Sequence, residues 1–179
     1  MRQARALGRV FQLGGLLLTA WLTCAMPAYA DPVVTERLLG LSEQELVNAV
    51  PNATRNQRPA LGPRGSRGLW SLADADVGGL HFEVTFYFKS KAIARIEQRR
   101  RTADNSNCNA AYSALLASLT SRYGVAVQSD DGVANEGQSR SAAWVADDFK
   151  VAAYRMPSVN QCDLLVAIEP HAQRDASEL

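Results

Sequence analysis

From Leu80 to Phe88 the chain alternates strictly. Leu80, Phe82, Val84, Phe86 and Phe88 are apolar, and His81, Glu83, Thr85 and Tyr87 between them are polar or amphipathic. Period two is the signature of a β-strand with one greasy face, and no helix places those five side chains on one side. Such a face is stable only when a second layer covers it, so the chain has to build a sheet and something to lie on it. The 179 residues carry a formal net charge of +1, with 47% hydrophobic and 21% charged residues. That composition excludes a collagen-like chain, a coiled-coil rod and a charged disordered tail.

The first residues set the compartment. Arg2, Arg5 and Arg9 precede an almost charge-free stretch from Val10 to Met26, and Ala28-Tyr29-Ala30 offers small residues at both positions a signal peptidase reads. Residues 1–30 therefore read as a secretory signal peptide cleaved after Ala30. The apolar stretch is shorter than the roughly 20 residues that span a bilayer and stops at Pro27, so no stable membrane anchor is expected after cleavage. Thr23 and Trp21 do not fit the positions before a lipid-modified cysteine, so Cys24 is not read as lipidated. Cleavage leaves 16 basic against 18 acidic side chains, a balance that gives no general attraction to nucleic acid. The expected location is periplasmic or secreted.

Two cysteines remain, Cys108 and Cys162. In an oxidising compartment their simplest fate is a disulfide acting as a structural staple.

Past the short lead of residues 31–40, Ser42 and Glu45 form a capping box, Leu41 and Leu46 occupy the staple positions and Pro51 closes a short helix. Asn52 to Gly68 reads as a polar loop. Three strands follow, at Leu69–Leu72, Leu80–Phe88 and Ala92–Arg99. A second helix opens at Asn109, with Tyr112, Leu115, Leu116, Leu119 and Tyr123 along one stripe and Gly124 as its stop. Gln138–Ala146, Phe149–Met156 and Gln161–Ile168 read as three further strands. The expectation is an α+β chain of two tandem helix-plus-three-strand units, residues 31–104 and 105–170, forming antiparallel sheet covered by helices, with a polar tail at 171–179.

The capped helix of Gly40-Leu41-Ser42-Glu43-Gln44-Glu45-Leu46, followed by a meander in an exported chain, resembles the small outer-membrane-assembly lipoproteins, and its duplication resembles the β-lactamase-inhibitor-like fold. The resemblance implies a non-enzymatic role in which a concave sheet surface or its loops grip another protein. It assigns no functional residues.

The residues themselves offer little chemistry. Only His81 and His171 are present, too few for a zinc site once the cysteines are bonded, and no metal or cofactor is expected. No Gly-x-Ser-x-Gly elbow occurs, and no catalytic residue is assigned. Asp74, Asp76, Asp130, Asp131, Asp147 and Asp148 cluster in turn-like segments where Asp bonds its own backbone. Gly62-Pro63-Arg64-Gly65-Ser66-Arg67-Gly68 lacks the Walker lysine and leads from a helix into a strand, so it reads as a mobile or partner-contacting loop rather than a phosphate loop, with Arg64 and Arg67 as its partner-binding candidates. Tyrosine beside arginine is the composition of interface hot spots. Should neighbouring polar strand faces line up, His81, Glu83, Tyr87, Arg95 and Arg99 make a surface for a protein partner. The functional expectation is an exported binding or inhibitory module; the alternatives are a cell-envelope hydrolase working through acidic residues and an envelope-assembly factor. For the cysteines the expected outcome is simple: unreduced mature protein takes up no alkylating agent by mass spectrometry, and two modified thiols appear only after reduction.

Overall fold

The structure is a computed structural model describing residues 35–103, 105–130 and 138–171. The expected signal segment and all of the tail beyond His171 lie outside the described residues. Helix α1 (Glu43–Ala49) begins as the sequence dictates. The Ser42 hydroxyl accepts from the Glu45 amide, and the Ser42 amide donates to Glu45 at 2.8 Å. Those two bonds satisfy orphan amides of the first turn. Leu46 and Val50 leave the helix on its buried side.

Eight strands follow or surround a second helix: β1 (Thr54–Leu61), β2 (Arg67–Val77), β3 (Leu80–Lys89), β4 (Ala92–Thr102), α2 (Asn105–Tyr123), β5 (Gln128–Ser129), β6 (Arg140–Val145), β7 (Phe149–Pro157) and β8 (Cys162–Pro170). All eight strands belong to one antiparallel sheet, in the order β1-β2-β3-β4-β8-β7-β6-β5.

This corrects the expected fold class. The chain does not form two helix-plus-three-strand units; it forms one continuous eight-stranded sheet with two helices. The overturning feature is the β4–β8 ladder, in which Ile96 stands opposite Ile168 and Thr102 opposite Cys162. An edge strand carries a row of unpaired amides and carbonyls, and β4 and β8 satisfy each other's. Strand β1 is the second difference, because its residues were expected to be loop. Nearly every side chain in Thr54–Leu61 is exposed or half-exposed, so the segment has no apolar alternation to announce it, and it is a strand through pairing with β2. The second helix starts at Asn105, four residues before Asn109.

Both helices lie on the same side of the sheet. Tyr112, Leu115 and Leu119 of α2 and Leu46 and Val50 of α1 join Phe82, Val84, Phe86, Ile93, Ile96, Val151, Leu164, Val166 and Ile168 in one core. The alternation of β3 thus buries its four phenylalanine and valine side chains under the helical layer. Gly124, at φ +82°, ends α2 in the left-handed conformation that a side chain would penalise, and its carbonyl accepts the Trp144 indole N–H at 2.9 Å. Cys108, in the first turn of α2, and Cys162, the first residue of β8, form the disulfide, both fully buried. Closing that 54-residue separation stabilises the fold by about 4 kcal/mol in the chain-entropy account. No described helix is long and apolar enough to cross a membrane.

Burial separates two leucines sharply. Leu115→Ala is expected to cost about 2–5 kcal/mol in urea unfolding, whereas Leu61→Ala at the exposed end of β1 changes stability by about 0.5 kcal/mol or less.

Candidate functional site

The face of the sheet turned away from the helices carries most of the candidate residues. Antiparallel register brings Tyr87 of β3 opposite Arg95 of β4, Thr85 opposite Glu97 and Glu83 opposite Arg99. The next strand continues the rows: Glu97 faces Ala167, Arg99 faces Leu165 and Arg101 faces Asp163. Ala152 and Tyr154 of β7 lie beyond them, opposite Ala167 and Leu165. Ala152, Leu165 and Ala167 are buried, since they are short or apolar residues set between longer charged and aromatic neighbours that cover them.

A chain of ion pairs runs across this face. Arg95 Nε donates to Glu97 at 2.8 Å and Arg95 Nη1 to Glu169 at 3.0 Å, while Lys150 Nζ stands 3.2 Å from the other Glu169 oxygen. The side chains of Arg95, Glu97 and Glu169 are only 15%, 13% and 18% exposed. Arg101 makes a further pair with Asp163 at 3.1 Å. Burial opposes the Glu169 charge, but the hydrogen bond from Lys150 and the field of Arg95 outweigh it and hold the carboxyl below its usual pKa.

Tyr87 sits at the centre of the face, and here the structure differs from expectation. The ring is buried, at 8% exposure, because the glycine-rich β1–β2 connection folds over it. A Cβ on Gly62 would overlap the Tyr87 ring and Ser66 Oγ, and one on Gly68 would press on Thr85 and the same ring. The glycines are therefore required by close approach. Burial, followed by the neighbouring Glu97 carboxylate to which its hydroxyl is bonded, pushes the Tyr87 pKa up. The connection is tied by Gly62 N–H to the Ser66 carbonyl at 2.9 Å and by Ser66 Oγ to the Pro63 carbonyl at 2.8 Å.

The remaining candidates are distributed unevenly. Glu83 and Arg99 are exposed and share a hollow of about 230 Å³ with Ala60, Thr85, Tyr87 and Arg101. Arg64 borders a second hollow near Arg95. Arg67 stands opposite Phe88, one position out of step with Tyr87, and is not brought to this face. His81 lies at the far end of β3, exposed and 2.8 Å from Asp74, with no nucleophile in that pair. Sequence reasoning missed Glu169 and Lys150, which reach Arg95 only through the β4–β8–β7 pairing; Glu169 is 74 residues away along the chain. No local pattern announces such a partner.

Elsewhere, Glu36 receives the Tyr123 hydroxyl at 2.9 Å and Arg122 at 3.1 Å, which fixes the lead segment to the end of α2. Burial disfavours its charge, and its own backbone amide, Tyr123 and Arg122 together overcome that and lower its pKa. Charge is divided along the sheet as well. Residues 54–102 hold ten basic side chains and four acidic ones, a strong local excess in a chain that is nearly neutral as a whole. No family model, no curated protein and no solved structure matches this chain.

Glu36 and Glu169 have folded-state pKa values below the ordinary carboxylate value of 4.5, so each contributes stability that is complete above that value and is lost as pH falls through the lower folded one. Urea unfolding at a series of pH values is expected to show an acid decline starting near pH 4.5, shallower in Glu169→Gln.

Proposed function

We infer that this chain is an exported binding module that holds a protein partner against the open face of its sheet and the adjoining β1–β2 loop. The observation carrying this reading is the contrast on that face between locked and uncommitted charge. Arg95, Glu97, Glu169 and Lys150 are tied together, whereas Arg64, Lys89 and Arg99 around them have no ion pair among the described residues. Fixed charges lose little side-chain freedom on binding, and exposed rim cations steer an oppositely charged partner. Export is supported by the basic and apolar N-terminal segment and by the Cys108–Cys162 bond, which belongs to an oxidising compartment.

The hydrolase reading gains no support from this face. A general acid needs a carboxyl whose pKa is raised by burial without a compensating cation. Glu97 and Glu169 are the most enclosed carboxyls of the face, at 13% and 18% exposure; Glu97 is already held by Arg95, and Arg95 and Lys150 keep the Glu169 pKa below its usual value. Inhibitor and assembly factor differ only in the partner: an incoming foreign protein for the first, a resident envelope protein for the second.

A photo-crosslinking residue placed at Lys89 or Arg99 in the full chain, expressed in living cells, is expected to give discrete protein adducts in the envelope fraction. The same residue at Ser113 or Ala117, exposed on α2, is expected to give none. Adducts from the α2 positions alone would sink this reading.

A further inference from the structure

The second hollow on the open face, about 210 Å³, is bordered by Pro63, Arg64, Ser66, Lys89, Arg95 and Glu169. Two turns meet there, the β1–β2 connection and the two-residue β3–β4 hairpin, because Arg67 stands opposite Phe88 in register. Arg64, Ser90 and Lys91 are the non-glycine residues with positive φ among the described residues, at 53°, 53° and 70°, and all three lie in these two turns. A left-handed conformation is unfavourable for such residues, and a hairpin of this type ordinarily uses Asn-Gly. The strain is concentrated at one place, and it sets Arg64 and Lys89 on the rim of one hollow.

The charge there is not balanced. Glu169 has one oxygen on Arg95 and the other on Lys150, so its charge is already met. Arg95 uses Nε and Nη1 for Glu97 and Glu169, and its Nη2 has no acceptor among the described residues. Arg64 and Lys89 are exposed and pair with no anion among the described residues. A guanidinium edge with free N–H groups and two nearby cations matches a flat, singly charged carboxylate. A phosphate dianion fits less well, because the Glu169 carboxylate borders the same space.

We propose that this hollow is a carboxylate-docking pocket that takes an acidic side chain of the protein partner, with Arg64 and Lys89 supplying the attraction and Arg95 Nη2 the directed hydrogen bonds. The proposal rests on the binding-module reading and names the partner's chemistry: an acidic segment.

The test is an NMR titration of the mature, disulfide-bonded protein at low salt with an acetylated, amidated hexaglutamate peptide, and separately with inorganic phosphate. Saturable shifts are expected at Arg64, Ser66, Lys89 and Arg95, with affinity falling about tenfold in the double variant Arg64→Glu, Lys89→Glu. The charge-matched variant Arg37→Glu, Arg58→Glu, altering two exposed arginines away from the hollow, is expected to change affinity by about twofold or less. Equal weakening by both variants, or shifts spread over every exposed arginine, would overturn the pocket in favour of a diffuse field. Phosphate binding at these residues more tightly than the peptide would overturn the carboxylate assignment. Failure of the titration with crosslinks from Lys89 and Arg99 intact removes the pocket alone, whereas loss of those crosslinks removes the binding reading beneath it.

Discussion

Strand β4 meets β8 over seven antiparallel residue pairs, from Ile96 opposite Ile168 to Thr102 opposite Cys162, and the rest of the molecule depends on that ladder. It joins segments roughly sixty to seventy residues apart, so its loop-closure entropy is among the larger costs of the fold. Both ends are fastened. At one end Cys162 is bonded to Cys108 at the start of α2; at the other, just beyond the last pair, Arg95 reaches Glu169 at 3.0 Å. Between them Ile96, Val166 and Ile168 face the helices and contribute to the common core. Covalent, ionic and hydrophobic contributions thus converge on one seam.

The same seam gives the open face its order. An exposed arginine on a strand ordinarily samples many rotamers, and exposed ion pairs are worth little. Arg95 differs because β4–β8 pairing supplies a second carboxylate and Lys150 holds that carboxylate from the far side. Tyr87 is held from the opposite direction by the glycine-bearing loop packed on its ring. The face is consequently tied together at its centre, while Arg64, Lys89 and Arg99 at its rim have no ion pair among the described residues.

Much of the local structure was legible along the chain. The capping box at Ser42 and Glu45, the alternation of Leu80 to Phe88, the apolar stripe of α2 and its Gly124 stop all reappear, because each is enforced by neighbours a few residues away. The two-residue turn accounts for the pairing of Lys89 with Ala92 and Phe88 with Ile93, but the register of Tyr87 with Arg95 and of Glu83 with Arg99 depends on a one-residue shift past Ala94, which lets both Ile93 and Ile96 reach the core and which no local pattern announces. Strand β1 was hidden, because a polar edge strand carries no period to read. The burial of Tyr87 was hidden too, since its cover comes from Gly62 and Gly68, whose missing side chains signal flexibility in a sequence and close approach in a fold.

By itself the sequence determined what local physics can enforce: strands and helices where the apolar period demands them, a disulfide because two cysteines in an oxidising setting have few alternatives, and a cationic stretch around β4. Tertiary structure decided whether the two halves stood apart or shared one sheet, which carboxylates would meet Arg95, and where uncompensated charge would remain. Those outcomes turn on which edges pair across dozens of residues. Edge amides and carbonyls are chemically alike at every position, so nothing in the order of side chains alone selects the partner until the whole core is packed.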